Sequence, residues 1–306
     1  MDEFELIRRY FTRPVIATEI VTGVGDDGAV VRPAPGREQI QVIDTLVEGV
    51  HFPAGTGAED IGYRVVAVNL SDVAAMGAEP RYMTLALTLP EKSTEWIAAF
   101  AEGLFAAADE FGIALIGGDT TRGDQLVATV HMTADVERGQ ALLRSGAVVG
   151  DSIFVTGTVG DAAAGLALLG RGEHDDFLVG RFLRPAARIE IGRRLVGRAS
   201  AAIDVSDGLI GDLRKLLAAS GVGGELHIDR VPLSAKITAL CDEEERTRLA
   251  LSGGDDYELC FTANADSVKG IENVTTIGKV ISGGGLVCRN QGVVVEYDDS
   301  GYRHLL

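Results

Sequence analysis

An aspartate inside a long apolar segment constrains the fold of this chain more than any other feature. Residues 61–76 are mostly apolar but contain Asn69 and Asp72. The apolar residues recur at helical spacing, and the two polar residues, three positions apart, share one face of the predicted helix. A buried carboxylate without a partner is costly. Asp72 therefore requires a cation, hydrogen-bond donors or a proton beside it.

Further aspartates occur in similar surroundings, between glycines and apolar segments that we interpret as strands. Several aspartates at one place would repel one another unless hard cations held them, and such oxygen ligands suit magnesium or manganese. Each aspartate taken alone is better explained as a helix cap or a turn residue. Their recurrence favours a multi-metal site that handles phosphate groups. They are Asp26, Asp27, Asp44, Asp119, Asp204, Asp207, Asp255 and Asp256.

The charge of the chain excludes some classes of partner. The formal net charge of −17 argues against a surface for nucleic acid or an anionic membrane, because either requires a clustered basic patch. An anionic substrate such as a nucleotide would need cations to approach. The N-terminus lacks the pattern of a secretory signal, and no stretch approaches the length of a membrane span. We therefore expect a cytoplasmic protein with no nucleic-acid or membrane partner.

The cysteine pattern is typical of a protein in a reducing environment. Cys241, Cys260 and Cys288 are odd in number and far apart. Such spacing predicts neither a disulfide framework nor a zinc site. We expect reduced structural thiols.

Strands and helices alternate in both halves, which predicts two α/β domains, 1–143 and 144–306. The predicted helices are residues 4–11, the helix of Asp72 ending at Gly77, 94–111 with Ser93 as its cap, a helix start at 160–166, 177–196 interrupted at Arg184-Pro185, and 209–220. The predicted strands are residues 29–33, 39–44, 81–89, 114–116, 126–136, 152–157, 201–205, 275–281 and 293–297.

The segment Gly23–Gly28 matches the spacing of the G-x-G-x-x-G dinucleotide motif, but we reject that interpretation. The motif works by opening a helix whose N-terminal N–H groups face a pyrophosphate. Here the following residues form a predicted strand closed by Pro33, and Asp26 and Asp27 would repel a phosphate. A metal-binding or turn role fits the two aspartates better.

Three further positions in the first half carry candidate chemistry. Asp44 ends a predicted strand, at the place where ligands gather in open α/β sheets. His51, in the following loop, either contacts a substrate phosphate or is a satisfied loop histidine. Gly117 and Gly118 allow the backbone to approach a bulky ligand while Asp119 reaches a metal.

The second half of the chain contains further candidate binding residues. Arg144 either clamps a phosphate or holds the domain junction. Asp204 ends a strand, and Ser206 or Asp207 is a natural N-cap for the helix that follows. Residues 251–259 again combine glycines, an acid pair containing Asp255, and a strand.

Taken together, these stretches resemble the thiamine-monophosphate kinases, a family of the aminoimidazole ribonucleotide synthetase superfamily. The resemblance spans nearly the whole chain, and the order and spacing of its motifs make it specific. The motifs are Gly25-Asp26-Asp27, residues 44–52, 67–80, 117–122, 144–146, 203–209 and 251–259, and Gly301-Tyr302.

The resemblance implies a magnesium-dependent homodimer that transfers a phosphoryl group directly from ATP to thiamine monophosphate, giving thiamine diphosphate. The implied fold has an N-terminal α/β domain that binds metal and ATP and builds the dimer through its sheet. A C-terminal α/β domain with a mixed sheet completes the nucleotide and substrate site. The matching positions are Asp27, Asp44, Asp72, Asp119, Asp204 and Asp207 for several magnesium ions, Gly118, Asp119, Arg144 and Ser206 for ATP, and His51, Asp255 and Tyr302 for thiamine monophosphate; Asp72 and Asp207 are the catalytic candidates.

Three features depart from the family pattern. Val42-Ile43 precede Asp44 where the family often has Ser-Thr, which removes hydroxyl ligands. Asp255 replaces the usual glutamate and is one methylene shorter. The chain ends soon after Tyr302, so we expect a shortened aromatic wall near the thiamine.

Other functions remain open at this point. Selenophosphate synthesis and the hydrogenase-maturation relative call for cysteines near the N- or C-terminus, whereas the first cysteine here is Cys241. Aminoimidazole ribonucleotide synthesis is opposed by the His51 loop and by the Gly-Gly-Asp-Asp-Tyr-Glu stretch. A non-catalytic module that binds divalent cations or nucleotides is an alternative from another class. No Walker lysine is present, so positioning and cations would have to promote phosphoryl transfer.

Overall fold

The structure is a computed structural model that describes residues 3–14 and 17–297. The described chain forms two compact units. One contains the described residues up to Val73 together with Ala78–Gly139, and the other contains Ala74–Gly77 and the described residues from Gln140 onward. Both units combine helices with a sheet, which confirms the predicted α/β class. Tyr302 lies outside the described residues.

The first unit is built on a four-stranded sheet with the order β3-β6-β4-β5, in which only β4 and β5 run parallel. A two-stranded antiparallel ribbon, β1-β2, precedes it. Helix α1 continues into a π-helical turn at Ile7–Phe11. The elements are α1 (Glu3–Leu6), β1 (Ile20–Thr22), β2 (Val30–Val31), β3 (Arg37–Val47), α2 (Ala58–Ala75), β4 (Glu79–Leu89), α3 (Thr94–Glu110), β5 (Ala114–Arg122) and β6 (Val127–Glu137).

The second unit is built on a seven-stranded mixed sheet with the order β13-β12-β9-β11-β7-β10-β8. Strands β9 and β12 are parallel, and the other pairs are antiparallel, so the mixed sheet predicted for this half is confirmed. The elements are β7 (Ser152–Thr156), α4 (Asp161–Arg171), α5 (Asp176–Leu183), α6 (Ile189–Leu195), β8 (Ala199–Val205), α7 (Leu209–Ser220), β9 (Gly223–His227), α8 (Ala235–Leu240), α9 (Glu243–Ser252), β10 (Glu258–Ala263), β11 (Val274–Ile281), β12 (Leu286–Asn290) and β13 (Val293–Val295), with a 3₁₀ turn at Ile228–Arg230.

Several sequence predictions are confirmed. Helix α7 has the predicted bounds, and its leucines pack into the core of the second unit. Ser93 caps α3, since its Oγ accepts a hydrogen bond of 3.2 Å from the N–H of Trp96. The three cysteines are free thiols. No helix in the described part of the chain has the length and apolar character needed to cross a membrane.

Other boundaries differ from the predictions. Strand β3 continues past Asp44, which therefore lies inside the strand and not at its end. Strand β5 runs through Gly117 and Gly118, because its ladder with β4 uses backbone groups that glycine also has. The interruption predicted at Arg184-Pro185 is confirmed, but it extends over residues 184–188, between α5 and α6. Strands β9 and β12 and helices α8 and α9 were not predicted, since their residues lack a clear apolar period.

The predicted helix around Asp72 is confirmed as α2. Other polar side chains of this helix, however, are buried more deeply than Asp72. Asn69 and Arg64 are 0% and 1% exposed, whereas Asp72 is partly exposed. Three residues advance a helix by about 300°, so Asp72 lies about 60° around the helix from Asn69. Asp72 is therefore only partly shielded from water, whereas the sequence predicted a buried carboxylate.

Helices α2 and α3 approach each other so closely that only glycine fits at two positions. A Cβ atom on Gly62 would lie 2.0 Å from the carbonyl oxygen of Phe100. A Cβ atom on Gly103 would lie 1.8 Å from the carbonyl oxygen of Glu59. These neighbours are backbone atoms of helices, which cannot rotate aside as a side chain can. The helix pair therefore depends on both glycines.

We expect Gly103→Ala to lower the free energy of unfolding by about 3 kcal/mol, because an overpacked contact forces the helices apart. Gly180→Ala, within α5, is the matched control, since nothing lies within 4 Å of its Cβ position. That change should raise stability by about 1 kcal/mol through helix propensity. Differential scanning calorimetry of both variants measures the two effects. A shift of the same sign at both sites contradicts the packing argument.

Candidate functional site

Three of the predicted site residues line one cavity in the first unit. Asp27, Gly118 and Asp119 border a space of about 460 Å³, together with Asp26. Apolar side chains provide another part of the wall. The cavity thus offers carboxylates and apolar surface to the same ligand. Its apolar lining includes Ile7, Phe11, Leu85, Leu115 and Ile116.

Gly118 allows strands β4 and β5 to pair closely beside this cavity. It pairs with Leu85 across the β4–β5 ladder and has a φ of 154°. A Cβ atom here would lie 1.9 Å from the carbonyl oxygen of Leu85. Any larger residue would push the strands apart and shift Asp119, which follows directly. The glycine therefore fixes the backbone that presents the carboxylate.

Asp26 and Asp27 form an exposed turn between β1 and β2. The N–H of Asp27 donates to Oδ1 of Asp26 over 2.9 Å, and Gly25 adopts a φ of 117°. A short strand, β2, follows, and no helix begins here. The structure thus agrees with the rejection of the dinucleotide motif.

The carboxylates of the first unit fit magnesium by their chemistry. Among residues 3–14 and 17–297, no three Asp, Glu, His or Cys side chains come together as a metal site. Magnesium, however, keeps several waters and is commonly held by one or two carboxylates together with substrate phosphates. Asp27 and Asp119, both exposed on one cavity, are hard oxygen donors of this kind.

Three of the other predicted metal ligands are not part of this cavity wall. Asp44 is inside β3 and partly exposed, opposite Val130 in β6. Asp72 is partly exposed on α2. Asp204 is 4% exposed in β8 and pairs with Leu259. None of the three lines the cavity of the first unit.

His51 lies in the turn that follows β3. The N–H of Val47 donates to Nδ1 of His51 over 3.0 Å. Because Nδ1 accepts this bond, the neutral ring carries its proton on Nε2. The turn therefore orients the imidazole ring of His51.

The second unit brings together Ser206, Asp207 and Asp255. The N–H of Asp255 donates to the carbonyl oxygen of Ser206 over 2.9 Å, and that of Tyr257 donates to the carbonyl oxygen of Val205 over 2.8 Å. A Cβ atom on Gly254 would lie 2.6 Å from the same Ser206 oxygen. The segment containing Asp255 thus packs directly on the Ser206-Asp207 turn.

The prediction that Ser206 or Asp207 caps α7 is wrong. The N-cap is Gly208, and no side chain caps the helix there. Instead, Asp212 in the first turn of α7 accepts hydrogen bonds of 3.0 Å from the N–H groups of Ser206 and Asp207. Burial raises the pKa of the Asp212 carboxyl, and the bond from Lys215 opposes that shift.

Lys215 is the positively charged side chain that binds both Asp207 and Asp212. Its Nζ donates to Oδ2 of Asp207 over 2.5 Å and to Oδ1 of Asp212 over 2.8 Å. Burial opposes the charged form, but the two carboxylates outweigh it and raise the pKa of Lys215. Sequence reasoning missed both Asp212 and Lys215. Their spacing of three residues on one helix is the signal that could have identified them as a pair.

Arg144 is exposed near the start of the second unit. Its carbonyl oxygen accepts a hydrogen bond of 3.1 Å from Oγ of Ser220. The carbonyl oxygen of Leu143 accepts a bond of 2.9 Å from the N–H of Ala202. The backbone is therefore held while the guanidinium faces solvent, where it can receive an anion.

Two acids that follow Asp255 in the chain are buried. The sequence groups Asp256 with the candidate metal ligands and does not single out Glu258. Asp256 is 1% exposed and accepts bonds of 2.7 Å and 3.4 Å from the N–H groups of Gly160 and Ala162, at the start of α4. Burial raises the pKa of its carboxyl well above the ordinary value. Glu258 is 0% exposed and is paired with Arg181 and Arg188.

Comparison with known proteins gives matches over nearly the whole chain. The family model "AIR synthase related protein, N-terminal domain" matches residues 25–136, and "AIR synthase related protein, C-terminal domain" matches residues 148–289. The thiamine-monophosphate kinase of Salmonella typhimurium is 44% identical over 320 residues, covering 99% of this chain and 98% of the relative.

Two solved structures are similar in fold and sequence. The crystal structure of thiamine-monophosphate kinase from Stenotrophomonas maltophilia K279a has a TM-score of 0.88 at 44% identity, covering 96% of this chain and 98% of that chain. AaThiL complexed with AMPPCP and TMP has a TM-score of 0.82 at 32% identity, covering 99% and 96%.

Proposed function

The chain belongs to the thiamine-monophosphate kinases of the AIR synthase related family, and on that premise we propose that it phosphorylates thiamine monophosphate to thiamine diphosphate with ATP as co-substrate. The observation that carries this conclusion is the 44% identity to a thiamine-monophosphate kinase over 99% of the chain. The related structure with AMPPCP, an ATP analogue, and TMP supports the choice of both substrates. The reaction is direct in-line phosphoryl transfer.

In this assignment each predicted domain has its own role. Residues 1–143 bind metal and ATP, and residues 144–306 contribute further contacts to nucleotide and substrate. Gly118, Asp119, Arg144 and Ser206 bind ATP, and His51, Asp255 and Tyr302 bind thiamine monophosphate. Asp72 and Asp207 are the catalytic aspartates. Magnesium ligands are Asp27, Asp44, Asp72, Asp119, Asp204 and Asp207. The common cavity of Asp27, Gly118 and Asp119 supports these roles in the first domain.

The residues act mainly by positioning the two phosphates. Phosphoryl transfer has a loose transition state whose charge is spread over oxygens, so alignment and electrostatic stabilisation dominate. Magnesium, when bound, neutralises that charge. The acceptor phosphate is already largely ionised at neutral pH, so no general base is required. The turn after β3 orients the ring of His51, and the exposed side chain of Arg144 can pair with an ATP phosphate.

The decisive experiment incubates the protein with ATP, magnesium and thiamine monophosphate and quantifies ADP and thiamine diphosphate. We expect the two products in equal amounts, and neither when thiamine monophosphate is left out. Binding of both ligands without turnover would instead support the non-catalytic module. Product formation with other phosphate acceptors at similar rates would contradict the assigned substrate.

A homodimer formed through the first sheet is part of the same proposal. Along β3 the residues at alternate positions, Gln39, Gln41, Ile43 and Thr45, are exposed, so one face of the sheet is open within the described chain. Ile43 is 63% exposed, which is unusual for an isoleucine at the centre of a strand. A second copy packed on this face would cover it.

We expect Ile43→Lys to shift the protein from dimer to monomer, because it places a charge on that face, near the middle of the edge strand β3. Size-exclusion chromatography with light scattering measures the mass. Val293→Lys is the control, since Val293 is 66% exposed on β13 of the other sheet. A dimer that persists in Ile43→Lys, or dissociates equally in Val293→Lys, contradicts this interface.

A cytoplasmic location belongs to the same proposal, and the co-substrate ATP and the free thiols support it. The acidic composition of the chain agrees with small-molecule substrates that arrive with cations, and with no nucleic-acid or membrane partner.

A further inference from the structure

A lysine ammonium lies on the carboxylate of one proposed magnesium ligand. Nζ of Lys215 donates over 2.5 Å to Oδ2 of Asp207, whose side chain is 28% exposed. Asp207 thus holds a cation at the protein surface, with the same type of oxygen that magnesium prefers. An ammonium and a magnesium ion on one carboxylate would lie close together and repel each other. The two cations are therefore alternative partners of Asp207.

Lys215 has a second carboxylate partner, which is buried. Its Nζ donates over 2.8 Å to Oδ1 of Asp212, a side chain that is 1% exposed. The other oxygen of Asp212 accepts the N–H groups of Ser206 and Asp207. Both oxygens of Asp212 are therefore bound within the protein. When Lys215 releases Asp207, it can keep its bond to Asp212, so the release costs one of its two ion pairs.

The two carboxylates are close enough to repel each other. Burial is the main reason why the pKa of the Asp212 carboxyl is raised, and the nearby charge of Asp207 adds to the rise. The ammonium of Lys215, bound to both groups, relieves this repulsion. A divalent cation on Asp207 would relieve it as well. The corner of α7 is therefore built to hold one positive partner at Asp207, and the chain supplies one of its own.

We propose that Lys215 is an internal counter-ion that competes with magnesium for the Asp207 carboxylate, an inference that rests on the magnesium role of Asp207 in the function proposed above. The lysine neutralises and orients Asp207 when the cation is not bound. It remains with Asp212 when the cation binds. Lys215 thereby weakens cation binding at Asp207 and sets the magnesium concentration at which this carboxylate is occupied.

The test measures binding of Mn²⁺, as a substitute for magnesium, to the protein without substrates, from the electron paramagnetic resonance signal of the free ion. We expect Lys215→Gln to lower the Kd for Mn²⁺ about fivefold, the upper range for a partly exposed ion pair that no longer competes. The glutamine amide can still donate to Asp212 but carries no charge. Lys215→Arg keeps the charge and should bind Mn²⁺ within twofold of the wild type.

Lys236→Gln is the matched control for the loss of a lysine charge. Lys236 forms an ion pair of 2.9 Å with Asp175 in the same unit, and its side chain is 55% exposed, similar to the 45% of Lys215. The Kd for Mn²⁺ of this variant should stay within twofold of the wild type. Circular dichroism verifies the fold of every variant. Lys215→Met, a second uncharged variant, should show the same gain in affinity as Lys215→Gln.

A double-mutant cycle shows whether the effect passes through the Asp207 carboxylate. In an Asp207→Asn background, Lys215→Gln should change the Kd for Mn²⁺ by less than twofold. A gain of the same size in that background, or unchanged or weaker binding in both uncharged variants, overturns the inference. The kinase function stands in either case if the wild type forms thiamine diphosphate. A wild type that forms none overturns the function, while the Kd values still decide the competition.

Discussion

We expect Asp119→Asn to lower kcat/KM for thiamine monophosphate phosphorylation by roughly a thousandfold, about 4 kcal/mol of transition-state stabilisation. Asp119 borders the same cavity as Asp27 and Gly118, and Gly118 holds its backbone against β4. The amide keeps the shape of the side chain but removes the negative charge and weakens the oxygen as a ligand for a hard cation. The variant should therefore also need more magnesium for half-maximal rate.

Asp124→Asn is the control for this change. Asp124 is exposed, follows Asp119 by five residues and is not part of the cavity wall. Its variant should keep kcat/KM within twofold of the wild type. Initial rates across a magnesium titration measure both effects. Near-normal turnover of Asp119→Asn at saturating magnesium would remove Asp119 from the centre of the site, and the same assay applied to Asp72→Asn tests that aspartate independently.

The second large effect concerns stability: Glu258→Gln should lower the free energy of unfolding by about 3–5 kcal/mol. Glu258 is 0% exposed and accepts from Thr156 Oγ1 at 2.6 Å, from Arg181 Nη2 at 2.8 Å, and from Arg188 at 2.6 Å and 2.5 Å. The bidentate bond to Glu258 raises the pKa of Arg188. Without the carboxylate, two largely buried guanidinium groups lose their counter-charge.

Glu245→Gln is the matched control within the same unit. Its carboxylate lies 3.6 Å from Arg171, with side-chain exposures of 35% for Glu245 and 57% for Arg171. Water therefore screens this ion pair and weakens it. Its loss should cost at most about 1 kcal/mol. Differential scanning calorimetry of both variants measures the two losses in the free energy of unfolding. Equal losses at the two glutamates would mean that burial of the Glu258 network contributes nothing special.

Local patterns predicted much of the secondary structure. The helix at Leu209–Ser220 and the cap of α3 by Ser93 were read correctly, because apolar period and capping chemistry are properties of neighbouring residues. The same patterns misplaced the ends of β3 and β5 and missed α8 and α9. Strand ends depend on pairing with distant strands, which a local pattern does not contain.

The candidate site, too, was predicted only in part from the sequence. The recurrence of aspartates beside glycines and strands indicated which residue types carry the chemistry. The structure places Asp27, Gly118 and Asp119 on one cavity and packs Asp255 against the Ser206-Asp207 turn. It also adds Lys215, which no motif had singled out. Its contact with Asp207 appears only when α7 and the turn before it are in place.

The amino-acid sequence by itself determined the α/β class, the family, and the set of acids and glycines available for chemistry, because these follow from composition, periodicity and motif spacing. Only the tertiary structure decided that Asn69 of α2 is buried whereas Asp72 is partly exposed, and that two glycines set the α2–α3 contact. It also decided that Glu258 pairs with two arginines 70 and 77 residues away. The reason is physical: burial and pairing are properties of neighbours in space, and these neighbours lie far apart along the chain.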